Sequence, residues 1–200
     1  MAPSAEEINN LIASGPKKSS IPQLEAFLDA QMSGAEAYHG KAVRTLIKSY
    51  QLFCAGNTEK ITQACFLALL EFPSSDLLAL NYMIPTATQK TEPLATIFVC
   101  QKQLVACQFA AFWKTYGTLQ TADPIANLTK SSVARLQSAI LSVLMRTYQT
   151  APLSVVLEAL NTSNVGDIKG ATVNGDGPLN SLLICPVLHS RAHHRNRGFC

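Results

Sequence analysis

From residue 20 to residue 161 apolar side chains recur every three or four positions, the spacing that gathers them on one face of a helix. A first helix is predicted from Ile21 to Met32, with Pro22 near its start and Leu24, Phe27 and Leu28 on one side. A second runs from Glu36 to Cys54 and carries Val43, Leu46, Ile47, Tyr50, Phe53 and Cys54 on its apolar face. "AGN" ends it, and Asn57 is placed to cap the next helix, "TEKITQACFLALLEF". "PSSD" then breaks the chain and opens "LLALNYMI". Ser74 or Ser75 is its cap, and Asp76 lies in the first turn, where a carboxylate complements the helix dipole.

After the polar linker "PTATQK" a helix is predicted to start near Thr91 and Pro93. It runs through Cys107 into "LVACQFAAFWKTYGTL" (104–119), the stretch that holds the chain's single tryptophan. Leu104, Val105, Phe109, Phe112, Trp113 and Tyr116 form one wide apolar stripe, and Gly117 begins its end. An aromatic stripe at helical spacing is core far more often than pocket, so Trp113 reads as a packing anchor. Cys100 and Cys107, seven residues apart, are expected to face the same way as small buried hydrophobes. "QTADPIANLT" reads as a loop. Residues 131–148 read as a helix with Val133, Leu136, Ile140, Leu144 and Tyr148 inward, and a short helix spans Pro152 to Leu160. Connections of about four to ten residues between helices of about 10–20 fit antiparallel stacked pairs. The repeats are not alike in sequence, so the reading as stacked repeats rests on helix number and length.

The pattern changes after Leu160. "NTSNVGDIKG" is polar, and the short β-type runs "ATV" and "SLLIC" flank "NGDGPLN", which is dense in turn residues. Residues 171–185 therefore read as a small hairpin, and the basic end "HSRAHHRNRGFC" as a disordered tail. The expected fold is all-α: stacked antiparallel, HEAT-like helical repeats followed by an abbreviated module with one hairpin. The expected division is an N-terminal segment (1–19), a helical-repeat domain (20–149), a partial winged-helix module (150–186) and the tail (187–200).

Composition narrows the function classes. At 200 residues folding buries about 70% of the extended chain's surface, so no disulfide or metal staple is needed. A hydrophobic content of 48% excludes a disordered chain, and only 14% charged residues leaves a thin solvated shell, a hint that other subunits cover part of the surface. Residues 1–164 hold 12 Lys and Arg against 11 Asp and Glu, so the body has no net field to grip phosphates. No apolar run has the length of a membrane span, and "MAPSAEEINNLIASG" lacks the charge and apolar pattern of a signal peptide. No membrane association is expected. The cysteines at 54, 65, 100, 107, 185 and 200 then read as reduced thiols of a cytoplasmic protein.

Candidate chemistry is sparse. "GAEAYHGKA" (34–42) has one residue too many between its glycines for a phosphate loop, and Ala42 stands where a Mg²⁺-binding hydroxyl is required. No G-x-S-x-G elbow and no H-E-x-x-H helix occur. His39 is the only histidine of the folded body, so a Cys–His nucleophilic pair has one candidate base, and it reads as a helix-surface or partly buried side chain. Cys185, His189, His193, His194 and Cys200 are metal-ligand types, but their spacing matches no structural zinc pattern. No enzyme, no cofactor and no metal are expected. Arg191, Arg195 and Arg197 are candidate RNA contacts, of a weak and salt-sensitive kind.

Several segments carry a resemblance. "LEAFLDAQ" (24–31), "AYHGKAVRTLIKSYQL" (37–52), "LALLEFPSSDLLALNYMI" (67–84), "LVACQFAAFW" (104–113) and "RTYQTAPLSVVLEAL" (146–160) occur in the order and spacing of the subunit K family of eukaryotic translation initiation factor 3. Its most specific pieces here are C-x-F-x-x-F-W (Cys107, Phe109, Phe112, Trp113), Tyr50-Gln51, and the Thr-Tyr-Gln run around Tyr148. The resemblance implies a HEAT-like region followed by a winged-helix module, the PCI-type arrangement shared with proteasome-lid and signalosome subunits. It also implies that Cys107, Phe109, Phe112, Trp113 and Tyr148 are family-motif core. Its members are non-catalytic and assemble with other subunits of the factor, above all the PCI subunit L. They help form the 43S preinitiation complex on the 40S ribosomal subunit. Two rival readings are a paralogous PCI scaffold of the proteasome lid or signalosome, and a weak RNA-binding module using the wing and tail. The family carries a second winged-helix helix before the wing, for which "NTSNVGDIKG" leaves little room, and nothing in it resembles "VLHSRAHHRNRGFC".

Overall fold

The computed structural model describes residues 3–148 and 150–163, and the backbone of 171–174 and 181–184. Eleven α-helices stand among the described residues. The chain opens with α1 (Ala5–Ala13), a 3₁₀ turn (Lys18–Ser20), α2 (Ile21–Met32), α3 (Gly40–Phe53) and α4 (Thr58–Leu70). It continues with α5 (Asp76–Met83), α6 (Thr86–Gln89), α7 (Leu94–Val105), α8 (Phe109–Leu119) and α9 (Ala126–Ser131). It closes with α10 (Val133–Thr147), β1 (Thr150–Pro152), α11 (Leu153–Leu160), β2 (Ala171–Asn174) and β3 (Ser181–Ile184). The fold is all-α with a small β element, as the periodicity predicts.

Helix starts follow local chemistry. Asn57 caps α4 as expected, its side-chain oxygen accepting from the backbone N–H of Glu59 at 3.0 Å. His39 caps α3: its Nδ1 accepts from Ala42 N–H at 3.1 Å, so the one body histidine does structural work at a helix end. This moves the start of α3 from Glu36 to Gly40. In the N-terminal segment Ser4 and Glu7 form a capping box, and α1 drives Ile8 fully into the core.

Helix α4 is the centre of the body. Ile61, Ala64, Cys65, Phe66, Leu67, Ala68, Leu69 and Leu70 are all buried, so it is apolar on every side and enclosed by its neighbours. It packs on α2, α5 and α7, and Lys60 of α4 pairs with Asp29 of α2. Helices α3 and α5 lie side by side, joined by the Arg44–Asp76 ion pair and by Gln51 Nε2 donating to the Met83 carbonyl. Arg135 of α10 reaches Glu71 behind α4. One continuous apolar core runs from Ile8 to Leu160.

Two expectations fail at one place. The helix predicted to pass through Cys107 breaks there into α7 and α8, which fold back on each other. Cys107 takes a left-handed backbone conformation (φ 56°), and the carbonyls of Leu104 and Gln103 accept from Cys107 N–H (3.0 Å) and Gln108 N–H (2.8 Å). That pair of bonds is the usual way of satisfying a helix C-terminus. The side chain of Cys107 leaves the helical register, so Cys107 is exposed while Cys100 is fully buried; Val105, next to the break, is exposed too. Cys54 repeats the pattern at the end of α3, with φ 50° and an exposed thiol where the apolar face was expected to continue. The polar stretch "PTATQK" contains the short helix α6, and α9 begins within "QTADPIANLT" and runs on to Ser131.

The strands form one antiparallel sheet in the order β1-β3-β2. Ala171 to Asn174 pairs with Ile184 to Ser181, the predicted hairpin, and Thr150 to Pro152 adds a third strand against Leu183 to Ser181. Helix α10, strand β1, helix α11 and the paired strands β2 and β3 follow in that order among the described residues, with β3 central in the sheet.

Candidate functional site

The stretch 104–119 supplies a buried aromatic cluster that ties several helices together. Phe109, Phe112, Trp113, Tyr116 and Leu119 are buried along α8, and three of their rings pack as a cluster. Phe112 and Trp113 meet edge-on with centroids 5.0 Å apart, Trp113 and Tyr116 at 5.8 Å and 84°. Phe66 of α4 stacks on Tyr116 at 6.5 Å. Such offset and edge geometries are the favourable ones for aromatic quadrupoles.

The polar ends of these rings tie elements together. Tyr116 donates its hydroxyl hydrogen to the Thr129 carbonyl of α9 at 2.8 Å; burial pushes its ionisation well above the ordinary phenol range. Trp113 donates its indole N–H to the Ala159 carbonyl of α11 at 2.8 Å. Gln137 of α10 donates to the Leu160 carbonyl at the same distance. Helix α11 ends at Asn161 in a left-handed turn whose backbone bonds serve the carbonyls of Glu158 and Leu157. The next two carbonyls, Ala159 and Leu160, are those left without helical partners, and Trp113 and Gln137 supply them. The α8–α11 junction is therefore held by packing and by a cap given from outside the helix.

Beside this junction opens a cleft of about 450 Å³, lined by Ala110, Trp113, Lys114, Leu157, Glu158 and Asn161 among others. Its polar lining comprises Lys114, Glu158, Asn161, Thr162 and Ser163. Cys100 and Cys65 are fully buried, and burial raises both thiols, Cys100 to about 12. A thiol held protonated in this way is a poor nucleophile. Among the described residues no group of three or more His, Cys, Asp or Glu side chains could hold a metal ion, and no helix is long and apolar enough to cross a membrane.

The motif residues divide. Phe109, Phe112 and Trp113 lie together in the core, whereas Cys107 and Tyr148 are on the surface. Tyr148, expected to point inward, follows the last residue of α10 in extended backbone (φ −119°, ψ 138°), which turns its ring outward and leaves it half exposed. Arg191, Arg195 and Arg197, and the possible ligands Cys185, His189, His193, His194 and Cys200, lie outside the described residues. The links from Trp113 and Gln137 to α11 escape sequence reading, because a donor 46 or 23 residues from its acceptor leaves no local pattern.

Comparison with known proteins decides the family. The profile of the CSN8/PSMD8/EIF3K family matches residues 56–174, from the cap of α4 to the end of β2. The chain belongs to the CSN8/PSMD8/EIF3K family. Eukaryotic translation initiation factor 3 subunit K of Dictyostelium discoideum is similar to it, with 34% identity over 160 residues that cover 80% of this chain. The chain spans about 63% of the length of that relative. The matched residues contain the aromatic cluster, the α8–α11 junction and strand β2.

Proposed function

We propose that the chain is a non-catalytic subunit of eukaryotic translation initiation factor 3, a protein–protein scaffold that helps assemble the 43S preinitiation complex on the 40S ribosomal subunit. The observation that carries this reading is the similarity to subunit K of that factor over 80% of the chain. Its partners are other subunits of the factor, with the PCI subunit L foremost, and its compartment is the cytoplasm. The helical-repeat domain (20–149) provides docking faces, and the module at 150–186 provides a short sheet. Cofactors have no part in this role, and direct RNA contact, through Arg191, Arg195 and Arg197, is at most weak. Tagged protein from its own cells is expected to co-purify with initiation factor 3 subunits and to sediment with 40S particles. Recovery with proteasome-lid or signalosome subunits alone would make it a paralogous scaffold and overturn the assignment.

A further inference from the structure

Helices α3 and α5 run parallel. Arg44 pairs with Asp76, and Gln51 reaches Met83, so a step of seven residues on one helix matches a step of seven on the other. Lys48 on α3 therefore lies level with the stretch between Leu78 and Tyr82 on α5. On α3, Lys41, Lys48 and Leu52 follow at intervals of seven and four and share the outward face. Leu78 and Tyr82 share the outward face of α5 in the same way. The apolar members are well exposed: Tyr82 by 83%, Leu52 by 57% and Leu78 by 45%. Three of the seven large hydrophobic side chains exposed among the described residues thus fall on one pair of adjacent helices.

The charge on this face has one sign. Helix α3 contains no acidic residue, and the only one of α5, Asp76, is already neutralised by Arg44. Lys41 and Lys48 make no ion pair among the described residues. Lys41 stands in the first turn of α3, where a cation opposes the helix dipole, so the stability of α3 does not account for it. Beside Tyr82 an open cleft of about 380 Å³ lies between Gln51 and the turn at Ile84 and Pro85.

We propose that the outer face of α3 and α5 docks an acidic amphipathic helix of a partner protein. The furrow between two parallel helices accepts a third helix, whose apolar side chains lie on Leu52, Leu78 and Tyr82 while its carboxylates meet Lys41 and Lys48. Nucleic acid fits less well, since two lysines and one aromatic ring provide neither the cation density nor the stacking platform that a strand needs. The proposal rests on the scaffold reading only in taking the chain to work by binding proteins. The test below needs no assembly, so loss of initiation-factor co-purification and loss of this surface are separate results.

The probe is a fluorescein-labelled helical peptide of about five turns, with leucines at three- and four-residue spacing flanked by glutamates, titrated with the full chain. A counterpart carries lysine at every glutamate. Fluorescence anisotropy is expected to give a Kd of about 10–100 µM for the acidic peptide, and at least about tenfold weaker binding for the basic one. Tyr82→Ser should weaken the acidic peptide about tenfold, and Lys48→Glu about fivefold while reducing the preference for it over the basic peptide. All these positions are exposed, so far-UV circular dichroism and the melting temperature should stay at the parent's values; Lys48→Gln provides a milder variant should Lys48→Glu fold poorly. Equal binding of the two peptides, binding untouched by either substitution, or none up to about 1 mM overturns the proposal. Displacement of the peptide by poly(U) RNA at physiological salt also overturns it, and assigns the face to nucleic acid instead.

Discussion

Trp113 offers the most informative single perturbation, because its packing and its hydrogen bond can be removed separately. Its ring is 8% exposed, lies against Phe112 and Tyr116, and caps α11 through the Ala159 carbonyl. Trp113→Ala removes the ring and leaves a cavity, which costs about 3–5 kcal/mol. Trp113→Phe keeps most of the apolar contact but leaves the Ala159 carbonyl without its donor. That loss alone costs about 1–3 kcal/mol, nearer the low end because the adjoining cleft admits water. For a chain of this size each kcal/mol moves the melting temperature by roughly 2–4 °C, so the alanine variant should melt roughly 6–20 °C below the parent. Urea unfolding followed by far-UV circular dichroism measures both variants without using the lost indole fluorescence. Hydrogen exchange should show the amides of α11 deprotected in both, and the rest of α8 in the alanine variant only. If Trp113→Ala stayed within about 1 kcal/mol of the parent while losing partner subunits, the cluster would be an interface rather than a core. If the phenylalanine variant matched the parent, the cap on α11 would contribute nothing.

Two further results follow from close approaches in the body. A side chain at Gly40 would fall onto the Asp76 carboxylate, so Gly40→Ala should displace Asp76 and loosen its pair with Arg44, costing about 1–2 kcal/mol. In a double-mutant cycle with Asp76→Ala the two losses should not add, and additive losses would show that Asp76 is not what Gly40 accommodates. In the folded chain a thiol reagent should label Cys54 and Cys107 and leave Cys65 and Cys100 until unfolding, as read by peptide mass mapping. Burial raises the Cys100 thiol from its ordinary 9.0 to about 12, so its contribution to stability is complete below pH 9 and is lost as the pH climbs towards 12. Over that window only the unfolded chain gains from ionisation. Urea midpoints should therefore fall more steeply with pH for the parent than for Cys100→Ala, and equal slopes would contradict this burial.

Periodicity by itself determined the helical class, the placing of α2, α4, α5 and α10, the Asn57 cap and the hairpin, because each depends on side chains a few residues apart. Helix α1 was not predicted; its capping box, Ser4 with Glu7, is the local signal that was passed over. The break between α7 and α8 was not legible. Helix ends are read from glycine, and here Cys107 occupies the left-handed position; its neighbours are as apolar as a continuing helix. That substitution turned an expected core cysteine into a surface one, and the extended backbone at Tyr148 did the same for an expected core aromatic. The family was legible in collinear motifs, yet what those motifs do was not. Only the tertiary structure decided that Trp113 closes the end of α11, and that α3 and α5 set two unpaired lysines beside three exposed apolar side chains. The reason is distance along the chain. A local pattern reveals which face of a helix is apolar, whereas which helix covers it, and which face is left uncovered, depends on contacts between residues that the sequence places far apart.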